Sequence, residues 1–272
     1  MLRANFHTHS TFCDGLNTPE EMVRQALGLG FFALGFSGHM DPDVYMDWDA
    51  YAAEVRRLQA AYAGQLDILL GAELDNAWDP ATCADAEFVI GSTHYIPVDG
   101  ELLCVDNTAH ILADGCREHF GGDWYALSQA YYEFEAQVVE RTGCTFVGHF
   151  DLVTRFNDEL RTLDEDDPRY LGPAAEAMEH LARHGVPFEI NCGAFNRRRK
   201  AEMYPRRSLL RVLRELGGQI LITSDAHQRE LLAGGFDEAV RRAIECGFTH
   251  VLVLGHGATG QVEMRELALD TL

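Results

Sequence analysis

Short apolar runs rich in Val, Ile, Leu and Phe alternate along the chain with longer stretches in which apolar residues recur every three to four positions. The short runs predict strands at 2–6, 32–36, 66–70, 88–91, 145–148, 186–190, 219–222 and 250–254, and the longer stretches predict amphipathic helices between them. The first helix carries its own boundaries: Thr18 as N-cap, Pro19 at the first helical position, Glu21 completing a capping box, and Gly30 closing it. Stretches 47–63, 124–141, 170–184, 206–216 and 236–246 read as helices of the same kind. This alternation is that of βα units around a parallel sheet, an α/β fold. No linker, repeat or low-complexity tract interrupts it, so residues 1–272 read as one domain; α/β barrels fill about 250 residues with one core. The exception is 95–123, predicted as a long irregular loop of the kind that usually carries function.

Ionisable and metal-seeking residues fall just beyond the end of nearly every predicted strand. His7 and His9 follow the first, His39 the second, Glu73 the third, His94 the fourth, His149 the fifth, Asn191 the sixth, and Asp225 with His227 the seventh. In a barrel of parallel strands these positions share the C-terminal rim, where such folds build active sites. Imidazoles and carboxylates without thiolates suit divalent ions such as Zn, Mn or Fe, and Glu73 and Asp225 could each bridge two of them. His-Thr-His at spacing two sends both imidazoles to one side of an extended segment. A lone histidine is usually an ordinary surface or core residue; a set of them at successive strand ends is a metal cluster.

Composition narrows the partners. The chain has 43 Asp and Glu against 22 Lys and Arg, a net charge of −21, which disfavours long nucleic acids and anionic membranes. The seven cysteines are scattered with no C-x-x-C pair, which argues against a disulfide framework or a thiolate zinc site. No apolar run approaches a membrane span and the first residues lack a signal-peptide core, so a soluble, reduced, cytoplasmic protein is expected. The oligomeric state stays open at this level.

The segments His7-Thr8-His9-Ser10 with Asp14-Gly15, Gly38-His39, Gly71-Ala72-Glu73, Gly91-Ser92-Thr93-His94, Gly148-His149 and Ser224-Asp225-Ala226-His227 resemble the polymerase and histidinol phosphatase (PHP) domain of metal-dependent phosphoesterases. The resemblance spans nearly the whole chain. It implies a distorted (β/α)7 barrel, so one of the eight predicted strands, the last, should lie outside. It also implies three divalent ions: the first on His7, His9, Glu73 and Asp225, the second on Glu73, His94 and His149, the third on Asp14, His39 and His227. Glu189-Ile190-Asn191 and Glu202-Met203-Tyr204-Pro205 look most like the histidinol-phosphate phosphatases of that family. Where those relatives usually carry Thr-(Ser/Ala)-Gly-(Leu/Tyr)-Arg, this chain has Cys192-Gly193-Ala194-Phe195-Asn196-Arg197, which keeps the arginine in a changed register.

Hydrolysis of L-histidinol phosphate to L-histidinol and phosphate is therefore the expected activity. The alternatives are a family phosphoesterase acting on a nucleotide, phosphotyrosine or oligonucleotide end, or a non-catalytic metal-binding domain. A phosphate clamp should be arginine, with Arg155 and Arg197 as candidates and Asn191 as a further substrate contact. A general acid for the leaving alkoxide could be Asp106 or His110 in the long fourth loop. Three patterns read as decoys. Gly255-His256-Gly257-Ala258-Thr259-Gly260 has the dinucleotide-turn spacing, but too few residues follow it for a Rossmann unit. His180 and His184 share a helix face that points away from the rim. The Arg198-Arg199-Lys200 run reads as a solvated face.

Overall fold

The computed structural model describes residues 1–44 and 46–272. Eleven strands are present among them: β1 (Ala4–Asn5), β2 (Ala33–Met40), β3 (Asp67–Asp75), β4 (Phe88–Ser92), β5 (Tyr95–Val98), β6 (Glu101–Cys104), β7 (Phe146–Val147), β8 (Phe188–Asn191), β9 (Ile220–Thr223), β10 (His250–His256) and β11 (Val262–Ala268). The helices are α1 (Pro19–Gly28), α2 (Trp48–Ala61), α3 (Ala109–Phe120), α4 (Trp124–Glu135), α5 (Val138–Thr142), α6 (Asn157–Leu160), α7 (Pro168–Ala182), α8 (Gly193–Asn196), α9 (Arg207–Glu215) and α10 (Phe236–Glu245).

Seven strands pair in parallel in the order β1-β2-β3-β4-β7-β8-β9. The two edge strands form no ladder with each other among the described residues, but the chain joins beyond their ends. Beyond their ends Thr8 bridges Ala226, with the His9 amide donating to the Ala226 carbonyl (2.9 Å) and the Ala226 amide to His7 (3.2 Å). Below that bridge the side chain of Asn5 donates to Ser224 Oγ at 2.8 Å and accepts from its amide at 3.1 Å. The sheet is thereby drawn into the distorted seven-stranded barrel that the sequence predicts. As expected, the last predicted strand lies outside it: β10 pairs antiparallel with β11.

That hairpin covers the N-terminal end of the strands, opposite the rim. The His256 amide donates to Asp67, the first residue of β3, at 2.8 Å, and Gln219 just ahead of β9 donates to Glu266 of β11 at 3.3 Å. The glycine-rich segment 255–260 runs from the end of β10 into the hairpin's turn, with the Gly257 amide bonded to the Gln261 carbonyl, and the strand β11 rather than an α-helix follows it. Inside the barrel, Phe88 stacks on Phe146 and meets Phe6 edge-on. Its ring occupies the room left by two glycines of neighbouring strands, for a Cβ on Gly71 would lie 2.3 Å from it and one on Gly35 2.7 Å.

Three expectations are corrected. Segment 95–123 is not irregular: it holds the hairpin β5–β6, turned at Asp99-Gly100 with both residues at positive φ, and then α3, capped by Thr108. An Asp-Gly step between apolar residues is a strong hairpin signal. The helix predicted over 124–141 breaks at Ala136-Gln137 into α4 and α5. The helix predicted from 170 starts at Pro168, because Asp167 caps it. The capping box of α1 forms as read, Thr18 accepting from the Glu21 amide and Glu21 from the Thr18 amide. Among the described residues no helix is long and apolar enough to cross a membrane.

Two outcomes follow from this packing. Gly71→Ala should lower unfolding stability by about 1–3 kcal/mol through overpacking against Phe88, read from urea denaturation. At the barrel's lower end, burial opposes the charge on His256, but hydrogen bonds to Asp67 and Glu87 outweigh it and raise its pKa above the ordinary value. The stability it contributes is full below the unfolded imidazole's pKa of about 6.5 and is lost as pH rises through the raised folded value. His256→Asn should accordingly lower unfolding stability more near pH 6 than near pH 9, by no more than about 1 kcal/mol at this partly exposed pair, read from urea denaturation; equal losses at both pH values would refute the charged latch.

Candidate metal centre

Glu73, at the C-terminal end of β3, is buried, and imidazoles surround it. Its two oxygens face different sets. Oε2 lies 3.2 Å from His7 Nε2, 3.4 Å from His9 Nε2 and 3.0 Å from His39 Nδ1. Oε1 lies 3.2 Å from His94 Nε2 and 2.8 Å from His149 Nε2, and it accepts the Ser92 hydroxyl. Asp225 completes the first set with Oδ1 3.4 Å from His9 and 3.8 Å from His7. Asp14, on the loop after β1, gathers a third: its carboxylate is 3.0 Å from His227 Nε2, 3.6 Å from His39 Nε2 and 3.8 Å from His9 Nδ1. Asp41 is 3.4 Å from His39 as well, while its other oxygen accepts from the amides of Asp43 and Val44.

These separations suit donors that share ions roughly 2.0–2.2 Å away. The buried atoms His7 Nε2, His9 Nε2, His39 Nδ1, His149 Nδ1 and Glu73 Oε2 have no hydrogen-bond partner, although buried polar atoms are otherwise almost always satisfied. Protonation at His9, Glu73 and Asp225 also fits metal ligation, whereas at His7 and His94 the surrounding carboxylates overcome burial and raise the imidazoles well above the ordinary value, so an ion there displaces a proton. Burial, with His227 and His39 alongside, pushes His9 down to about 3, so its imidazole is neutral. Burial works against ionising Glu73 and Asp225, yet the histidines around Glu73, and Arg197 with His7 beside Asp225, hold both carboxyls well below the usual range. The arrangement can hold divalent metal ions.

Outer contacts aim the ligands. Glu189 in β8 accepts His7 Nδ1–H at 2.9 Å, the His149 amide at 2.7 Å and the Thr223 hydroxyl at 2.6 Å; this turns His7 Nε2 toward Glu73. Asp75 does the same for His94, taking its Nδ1–H at 3.2 Å and its amide at 2.7 Å. Carboxylate–histidine pairs of this kind fix tautomer and ring orientation at metal sites. Asp225 itself has a positive φ of 47°, and a Cβ on Gly193 would come within 2.3 Å of its carboxylate, so the glycine makes room for the ligand.

The cluster floors a cavity of about 370 Å³, the size of a small-molecule site. Arg155, Arg197 and Arg199 line it together with Asp106 and Tyr204, whose buried hydroxyl has no partner. Arg197 donates to Asp225 at 3.1 Å and lies 2.9 Å from His227 Nδ1; Arg155 donates to Asp106 at 3.2 Å. Burial and the nearby Arg155 and Arg197 push Arg199 below the ordinary guanidinium value, a sign of how closely the cations gather.

Two site expectations are corrected. His110 stands in the first turn of α3 with its side chain 84% exposed and paired with Asp114, away from the cavity. Asn191 is buried below the rim and does not line the cavity: its amide donates to Glu189 at 2.8 Å and its oxygen accepts from the Gly193 amide. It supports Glu189. The 198–200 run is not a uniformly solvated face either, since Arg199 reaches the cavity and Lys200 is buried on Glu165 at 2.9 Å.

A family model described as PHP domain matches residues 5–193. The chain belongs to the PHP domain family. Asp225, His227 and Arg197 lie beyond the matched span and still share the cavity with the PHP residues. Among similar proteins, a probable histidinol-phosphatase of Deinococcus radiodurans is 31% identical over 264 residues, covering 89% of this chain and 92% of that protein. A probable histidinol-phosphatase of Schizosaccharomyces pombe is 25% identical over 284 residues, covering 93% and 90%. The histidinol phosphate phosphatase of Lactococcus lactis, solved with zinc, L-histidinol and phosphate, shares the fold at TM-score 0.70 and 20% identity, over 97% of this chain and 100% of that one.

Glu189→Gln should cost about 10–100-fold in metal affinity by loosening His7, read as metal content after dialysis against graded chelator. Unchanged metal content with unchanged circular dichroism would show that Glu189 does not position the ligand.

Proposed function

We propose that the chain, as one PHP-type domain over residues 1–272, hydrolyses L-histidinol phosphate to L-histidinol and phosphate. The observation that carries this reading is the convergence of nine His, Asp and Glu side chains in one cluster, seven of which line a small cavity beside three arginines. The near full-length similarity to a probable histidinol-phosphatase supports the substrate.

Three ions of the Zn, Mn or Fe class suit the donor set, held by His7, His9, Glu73 and Asp225; by Glu73, His94 and His149; and by Asp14, His39 and His227. When bound, such ions supply Lewis acidity and a water of lowered pKa. The protein's own groups do the rest. Arg197 and Arg155, with Arg199 at the mouth, take the phosphate oxygens through their fork geometry. Asp106 is the cavity carboxylate outside the metal-compatible groups, which leaves it free to serve the departing alkoxide or the substrate's ammonium group. A 370 Å³ cavity in a chain of net charge −21 favours a small zwitterionic ester over a polyanion.

Metal-loaded protein should release phosphate from histidinol phosphate, lose that activity to a chelator, and regain it with added divalent metal. Arg197→Ala should lower kcat/KM about 100-fold, in keeping with the roughly 1.5–3 kcal/mol of a charged hydrogen bond. Turnover of other monoesters without histidinol phosphate would overturn the substrate while leaving the phosphatase in place.

A further inference from the structure

The helix pair read from the sequence as a decoy acquires a third member in the folded chain. His180 lies in the last turn of α7 and His184 in the turn that follows, with ring centroids 5.5 Å apart. Glu140 of α5 faces both: its Oε1 is 4.0 Å from His180 Nε2 and 3.8 Å from His184 Nε2. One ligand atom from each of the three lies within 4.8 Å of the others. None of them lines the cavity of the metal centre.

We propose that Glu140, His180 and His184 form a separate metal site on the outer helical layer for one divalent transition ion. Two imidazole nitrogens and one carboxylate oxygen, without thiolates, select Zn²⁺, Ni²⁺ or Cu²⁺ over Mg²⁺ and Ca²⁺. The position adds to this choice, because the C-terminal end of α7 carries the negative pole of the helix and favours a cation. Arg183, beside His184 in sequence, is engaged by Glu179 at 2.7 Å. The Glu140, His180 and His184 side chains are 60%, 46% and 30% exposed, so the ion enters from solvent and keeps water in its open positions. Small side-chain rotations bring the donors to coordination distance, since none is locked in a core. An ion there would tie α5, which follows the break after α4, to the end of α7.

The test uses protein whose catalytic centre is already loaded and freed of excess metal, titrated with Cu²⁺ and followed by electron paramagnetic resonance. The wild type should take up one more Cu²⁺ per chain than the His180→Gln/His184→Gln double variant, with nitrogen hyperfine structure from imidazole. Added Zn²⁺ should raise Tm in the wild type and not in the double variant. Glu140→Gln, which keeps the two imidazoles but replaces the anionic ligand with a neutral one, should bind the ion more weakly than the wild type. Phosphatase activity should be equal in the wild type and both variants. Equal Cu²⁺ uptake by wild type and double variant, or equal Zn²⁺-induced shifts, would overturn the site and leave the cluster a solvated surface group.

Discussion

An ionised carboxylate buried in a protein is untenable unless positive charge or donors surround it. Glu73 sits 1% exposed at the centre of the rim, and the chain answers with five imidazoles brought from four different strand ends. That demand explains much of the architecture. It requires the strands to be parallel, so that their C-terminal ends meet. It requires the barrel to close, because His7 and His9 stand beyond its first strand and Asp225 beyond its last. It also requires supports such as Glu189 and Asp75, which keep each ring turned inward.

The rim ligands were legible because a strand-end position is visible in one dimension: an apolar run stops and a histidine or carboxylate follows. The apolar runs alone count eight strands; seven in the barrel with β10 outside follows from the family resemblance. Supports were harder. Glu189 and Asp75 sit within strands, and their roles depend on which ring lies across the barrel, a fact that pairing creates and spacing does not encode. The available signal was a charged residue inside a core strand, a rare placement without a partner. Asn191 shares that strand and was read as a substrate contact for its position alone. His110 was read as a rim residue because 95–123 looked irregular; once Asp99-Gly100 is taken as a hairpin turn, the following segment becomes α3 and carries His110 outward. Arg199 escaped notice because a run of four basic residues gives no hint of which one folds toward the cavity.

Charge is divided in space within this acidic chain. The arginines that line the cavity face the metal cluster, and two of them are already held by carboxylates, Arg155 on Asp106 and Arg197 on Asp225. Guanidinium groups restrained in this way lose less freedom on meeting a phosphate than groups free in solvent. Those same carboxylates keep the cavity from being a general anion trap, because an incoming anion must suit the geometry of both signs. For the proposed substrate, selectivity would then rest on the cavity walls together with the net charge.

The bridge between Thr8 and Ala226 has a consequence for how the protein is made. Thr8 and Ala226 lie far apart in sequence, and both must be out of the ribosome before the ring of strands can close. Until then His7 and His9 lack Asp225, and Asp14 lacks His227, so the ligands that emerge ahead of β2 wait longest for their coordination partners. A nascent chain that stops short of Asp225 would therefore carry ligands without a complete site.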